Sequence, residues 1–298
     1  MAGDEMQNIR AMLAAMREAG QPSLPELRTL YDGLFAPLPL PGTVALETIE
    51  AGGVPAERLS GSAAAPGRTI LYLHGGGYVI GSPRSHRHLT ATLVDAAGAT
   101  LIVPDYRLAP EHPYPAALDD ALAAYESLLE NGQDPDLLVV AGDSAGGGLT
   151  LATLIAARDK GLDLPAAAAL ISPWVDLAAT GASLETARER DPIVQKDGLL
   201  DWAGLYLAGR DAATPLASPL YADLAGLPPL LIQVGTEEVL LDDAIRLDER
   251  ARAQGVATSL EIWDDMIHVW HFFHPQLEEG RQAIGKLGQF VRDRTASF

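Results

Sequence analysis

This chain of 298 residues contains no cysteine, which excludes disulfides, thiolate metal sites and a cysteine nucleophile but does not fix the compartment. It has no unbroken apolar run of about eighteen residues, so a transmembrane helix is not expected. The opening Met1-Ala2-Gly3-Asp4-Glu5-Met6 lacks the basic and apolar regions of a signal peptide, and a cytoplasmic location is the expectation. Cations are scarce: 21 Lys and Arg face 40 Asp and Glu, for a formal net charge of −19. That balance disfavours nucleic acid and anionic membranes as partners, and its ordinary meaning is solubility or a salt-tolerant host. Aromatic residues make up only 6%, which does not suggest a broad lipid-docking surface. No G-x-x-x-x-G-K-S/T pattern, internal repeat or low-complexity tract is present. What the chain does have is length and apolar content, 48% hydrophobic, enough for one large α/β domain with an appended element.

Two glycine-rich runs stand out. His74-Gly75-Gly76-Gly77 follows the apolar stretch Thr69–Leu73, and Gly142-Asp143-Ser144-Ala145-Gly146-Gly147 follows Leu137-Leu138-Val139-Val140-Ala141. The second is a G-x-S-x-G with an apolar strand pattern before it and a helical pattern, Leu149–Ala157, after it. A serine hydroxyl is a poor nucleophile unless a base removes its proton, so it must stand clear of its own backbone. A sharp strand-to-helix turn achieves this, and Gly142 and Gly146 remove the Cβ atoms that would crowd it.

Strand and helix patterns alternate through most of the chain. Two short amphipathic helices are expected between Asp4 and Phe35, the second opening near Ser23, before a break at Ala36-Pro37-Leu38-Pro39-Leu40-Pro41-Gly42. Strands are expected at Thr43–Ile49, Thr69–Leu73, Thr100–Val103, Leu137–Ala141, Ala167–Ile171, Pro229–Val234 and Ser259–Trp263. Helices are expected near His88–Ala97, from Pro115 to Glu130, ending at Gly255, and from Pro275. The alternation stops between Trp174 and Gly226, a stretch with Thr180-Gly181, Asp191-Pro192 and a helical piece at Leu199–Ala208. The fold class is therefore α/β: a mostly parallel central sheet flanked by helices, with residues 43–173 and 227–298 as catalytic domain. Residues 174–226 read as a helical cap, with residues 1–42 as its second part. Met12, Leu34, Trp202 and Leu205 are apolar residues of these segments that could line it.

Ligands in such sheets bind at the carboxyl ends of the strands, where both glycine-rich runs fall. In this chain order the base follows the nucleophile and the acid. Only His268, His271 and His274 lie beyond the last strand, and His268 follows it by a short loop. His271 and His274 lie further on and are expected to pack or face solvent. His112, His86 and His88 read as hydrogen-bonded core residues. The acid is expected in Gly235-Thr236-Glu237-Glu238-Val239-Leu240-Leu241-Asp242-Asp243. Its task is to hold the histidine tautomer and stabilise the imidazolium. Glu238 is the choice, with Glu237 and Asp242 as alternatives, Asp242 also serving to support the loop or cap the next helix.

On His74–Tyr78, Pro104-Asp105-Tyr106-Arg107-Leu108-Ala109-Pro110-Glu111, Gly142–Gly147 and Met266-Ile267-His268, the chain resembles the hormone-sensitive-lipase-like group of serine esterases, the bacterial family IV esterases. In that group the acid loop commonly reads D-x-L-x-D, whose first position falls on Glu238, third on Leu240 and last on Asp242. The resemblance assigns an oxyanion hole to the backbone N–H groups of Gly75, Gly76 and Ala145. It implies that His74 fixes its loop, that Asp143 braces the elbow, and that Tyr78 and Asp105-Tyr106-Arg107 support the glycine run.

The expected function is hydrolysis of short- to medium-chain acyl esters through an acyl-enzyme on Ser144, with no metal or organic cofactor. A lactone hydrolase or a deacetylase of a specific metabolite is the alternative with the same chemistry. A ligand-binding receptor on the same fold is the alternative from another class, against which His268 speaks. The partners expected are a small ester and a second copy of the chain, paired through the edge strand at 259–263.

Overall fold

Apolar runs of five or six residues become strands buried on both faces, as a parallel sheet covered by helices requires. In a computed structural model, which describes residues 3–18, 20, 22–34, 38 and 40–296, these runs build an eight-stranded sheet. The elements are α1 (Asp4–Glu18), α2 (Leu24–Leu34), β1 (Val44–Ala51), β2 (Val54–Gly61), β3 (Thr69–Leu73), α3 (Pro83–Ala97) and β4 (Thr100–Pro104). They continue with α4 (Ala116–Glu130), β5 (Leu138–Asp143), α5 (Ala145–Asp159), β6 (Ala167–Ile171), α6 (Ser183–Thr186) and α7 (Lys196–Leu207). The chain closes with β7 (Leu230–Gly235), α8 (Leu241–Ala253), β8 (Thr258–Trp263) and α9 (Glu278–Arg294). The strand order is β1-β2-β4-β3-β5-β6-β7-β8; β1/β2 and β2/β4 pair antiparallel and the rest parallel. Each expected strand is present within a few residues. The expected break at Ala36, Pro37 and Pro39, together with Phe35, lies outside the described residues.

One strand, β2, is absent from the sequence reading. Its Pro55 and the charged Glu57 and Arg58 hide it, because a strand near a sheet edge carries little apolar pattern. The signal was Gly52-Gly53: both glycines have positive φ (62° and 81°), as a two-residue hairpin turn demands, and they join β1 to β2. Helix α3 also starts earlier than expected. Ser82 and Ser85 form a reciprocal capping box and Pro83 occupies the first turn, which sets the start upstream of the apolar periodicity.

Apolar clusters on the two sides of the sheet anchor the flanking segments. Met6 and Ile9 of α1 are buried in one cluster with Val269, Trp270 and Phe272, just beyond His268. In the other cluster Leu27 and Tyr31 of α2, Trp202 and Tyr206 of α7, and Tyr78 pack on the central core. Segments from both ends of the sequence thus converge at the carboxyl ends of the strands. No described helix is long and apolar enough to cross a membrane.

Candidate active site

The turn between β5 and α5 holds Ser144 at φ 52° and ψ −120°, a conformation that costs a non-glycine residue on the order of 1–3 kcal/mol. The surroundings hold it there. Its N–H donates to Ile171 O at 2.8 Å, and its carbonyl accepts from Gly147 N at 3.0 Å and Trp174 N at 2.9 Å. A Cβ on Gly142 would come within 2.6 Å of Leu73 O, and one on Gly146 within 2.6 Å of His74 O. The two glycines flanking the serine therefore permit the close approach of the elbow to the end of β3.

Beside the elbow, the glycine run departs from expectation in one respect. The Gly75 N–H donates to Asp143 Oδ1 at 3.0 Å and lies 3.3 Å from His86 Nε2. It is turned into the protein, so the expectation that Gly75 serves an oxyanion hole is corrected. Gly76 and Gly77, at φ 115° and 60°, have N–H groups with no hydrogen-bond partner among the described residues. Ala145, the first residue of α5, has no intrahelical partner for its own N–H.

A buried polar group fixes this run from below. Asp143 also accepts from Tyr72 OH at 2.9 Å, and its carboxylate stands 3.3 Å from His86 Nε2. Burial pushes the Asp143 pKa up, yet the His86 ring and the Tyr72 hydroxyl carry it below its ordinary value. Tyr106 OH donates to His74 O at 2.6 Å and stacks on the His74 ring at 4.1 Å. Burial lowers the His74 pKa to about 3, so the ring is neutral near pH 7. Asp143, His74 and Tyr106 thus have the supporting contacts expected of them; His86 was read only as core. Above the run, a Cβ on Gly77 would overlap the Trp202 ring, and Tyr78 stacks on Tyr206 at 3.8 Å. Helix α7 sits directly on the glycine run. Leu205 on the same helix is exposed, as is Met12 on α1.

The end of β7 and the loop after β8 bring Glu238 and His268 together. Glu238 Oε2 lies 2.9 Å from His268 Nδ1, and the carboxylate is wholly buried. Its Oε1 accepts from Gly235 N and from Ser172 Oγ, each at 2.7 Å. Burial pulls the His268 pKa down, but the hydrogen bond and charge of Glu238, with Asp191 and Asp143, raise it above 6.5. The Ser144 hydroxyl makes no hydrogen bond to His268 here; such contacts tighten in substrate complexes. The other carboxylates face elsewhere. Glu237 pairs with Arg10 at 3.5 Å and Arg190 at 3.3 Å, while Asp242 accepts from Ser183 N at 2.9 Å.

Asp191, unforeseen beyond its Asp-Pro turn signal, is buried and accepts from Val239 N at 3.0 Å. It ties residues 174–226 to the loop bearing Glu238. His271 is buried, with Nε2 2.8 Å from Gln233 Oε1, and His274 stacks on His88 at 4.2 Å. His86 and His88 are buried as expected; His112 is exposed, because α4 begins only at Ala116 and leaves it on a surface turn. Among the described residues no group of three or more His, Asp or Glu side chains is arranged to hold a metal ion.

Comparison with known proteins identifies the family. Residues 70–272 match the family model for the α/β-hydrolase fold. An acetyl-hydrolase of Streptomyces hygroscopicus is 55% identical over 229 residues, covering 77% of each chain. A putative acetyl-hydrolase of Mycobacterium tuberculosis is 41% identical over 270 residues, covering 89% of this chain and 86% of its own. The crystal structure of an esterase from the bacterial hormone-sensitive lipase family superposes with a TM-score of 0.97 at 46% identity, covering 99% of this chain and 100% of that one.

Proposed function

We propose that this chain, which belongs to the α/β-hydrolase fold family and within it to the bacterial hormone-sensitive-lipase esterases, hydrolyses carboxylic esters through an acyl-enzyme on Ser144. The observation that carries this reading is the buried Glu238–His268 pair at the same sheet end as the strained Ser144 turn. His268 takes the Ser144 proton as the oxygen attacks the ester carbonyl. Glu238 holds the ring and stabilises the imidazolium without accepting the proton. The oxyanion is held by the unpartnered N–H groups of Gly76, Gly77 and Ala145; one such donor is worth about 10²–10³ in turnover. The tetrahedral intermediate collapses, His268 protonates the departing alcohol, and a water deprotonated by the same ring releases the acid and regenerates Ser144.

Residues 174–226, with the N-terminal helices, act as the cap, and Trp202 against Gly77 sets the wall that favours short to medium acyl chains. Closure over the site also excludes water and strengthens the oxyanion contacts. A narrower substrate class, the removal of acetyl groups, is favoured by the two relatives named as acetyl-hydrolases. Strand β8 is the terminal strand of the sheet, and its Ile262 is 46% exposed. Its free edge pairs with that of a second copy to form a dimer.

A panel of acetyl, butyryl and longer esters, lactones and anilides, scored by kcat/KM, tests this reading. Hydrolysis of anilides or lactones in preference to every ester would contradict it.

A further inference from the structure

Ser172 follows β6, the strand between the one that presents Ser144 and the one that presents Glu238. It is fully buried and takes a positive φ of 46°, which a serine adopts only where its surroundings hold it. Its N–H donates to Gln233 O at 2.7 Å, locking that turn to β7. Its hydroxyl meets two groups at once: Oγ lies 2.7 Å from Glu238 Oε1 and 3.2 Å from the Val269 nitrogen. A hydroxyl has a single hydrogen. Because the Val269 N–H donates to Oγ, that hydrogen goes to the carboxylate.

The consequence is a fixed carboxylate. Gly235 N–H and Ser172 O–H both engage Oε1, which leaves Oε2 for His268 Nδ1. Besides His268, Ser172 is the one side chain among the described residues that hydrogen-bonds this carboxylate. It also grips the backbone of the residue directly after His268. Catalytic geometry survives only when the groups behind the reacting atoms are themselves held by hydrogen bonds and packing. With its proton committed and its side chain fully buried, Ser172 is not a second nucleophile.

We propose that Ser172 is a positioning residue for ester hydrolysis, holding the Glu238 carboxylate against the His268 ring and steadying the His268 loop through Val269. This rests on the reading of Glu238 and His268 as acid and base. Deleting the hydroxyl removes one charge-assisted hydrogen bond, so kcat falls on the order of 10–100-fold while KM stays nearly constant.

The test is a double-mutant cycle on the full-length chain with p-nitrophenyl butyrate, using Ser172→Ala and Ser172→Gly in the wild-type and Glu238→Ala backgrounds. Glycine tolerates the positive φ, so Ser172→Gly deletes the hydroxyl while relieving backbone strain, and its melting temperature serves as a check on folding. The expected result is that both Ser172 variants lose kcat in the wild-type background but change it by less than about two-fold once Glu238 is alanine. In the wild-type background, the far-downfield proton resonance of the His268 Nδ1–H is expected to shift or broaden in Ser172→Gly. A full, additive loss in both backgrounds, or a folded Ser172→Gly enzyme with undiminished kcat, overturns the proposal while leaving Glu238 as the acid. Undiminished activity of Glu238→Ala alone overturns the acid assignment and this proposal together.

Discussion

Glu238 Oε2 and His268 Nδ1 meet at 2.9 Å in a pocket that excludes most of the solvent. The pair sets the pH at which the ring can act as a base. In the proposed mechanism only the neutral imidazole accepts the Ser144 proton, and the carboxylates around it raise its pKa above 6.5. The protonated, inactive form therefore persists to higher pH than for an ordinary histidine. The acid limb of kcat/KM is expected to be centred above 6.5, and a limb centred below that value contradicts the assignment.

Glu238→Gln tests the acid. An amide at this position can donate its N–H to Nδ1 and so stabilise the wrong tautomer of the ring, so turnover is expected to fall on the order of 10³–10⁴-fold. Asp242→Asn alters a residue that accepts from Ser183 N, away from the ring, and is expected to cost far less. A larger loss at Asp242 with both proteins folded reverses the assignment.

The acid–base pair shows what was legible in the sequence and what was not. Ser144 and His268 each sit in a local pattern tied to a strand end, so chain order and spacing point to them, while the same reasoning narrows the acid to one loop in which Glu238 is the choice beside Glu237 and Asp242. Ser172 and Asp191 sit in no such pattern. Each acts through contacts with residues far along the chain, Glu238 and Val239, and no local window records such a contact. The N–H of Gly75, which the resemblance assigns to the oxyanion hole, donates to Asp143 on a different strand, another contact that no local window records. Strand β2 was missed because an outer strand with charged residues lacks an apolar signature, although its Gly-Gly turn was readable.

The cap reading makes a selective expectation. Trp202 lies on Gly77, whereas Leu205 on the same helix is exposed. With p-nitrophenyl esters of increasing acyl length, Trp202→Ala is expected to shift the kcat/KM optimum toward longer chains, each methylene contributing roughly 1–3 kcal/mol at most. Leu205→Ala is expected to leave the profile unchanged. An unaltered profile in folded Trp202→Ala counts against the cap as selector.

Pairing through β8 is tested by light scattering at micromolar concentration. The expected mass is that of two chains, and Ile262→Lys, which places a charge on the exposed edge, is expected to shift it toward one. A single-chain mass for the unaltered protein rejects the dimer.

The central claim is that the acyl group is carried by Ser144. Treating the enzyme with a serine-directed organophosphate or sulfonyl fluoride, then locating the label by mass spectrometry, addresses it directly. One adduct per chain on Ser144, with activity lost in parallel and labelling abolished in Ser144→Ala, is the expected result. Full inactivation with the adduct on another residue, Ser172 included, would contradict it.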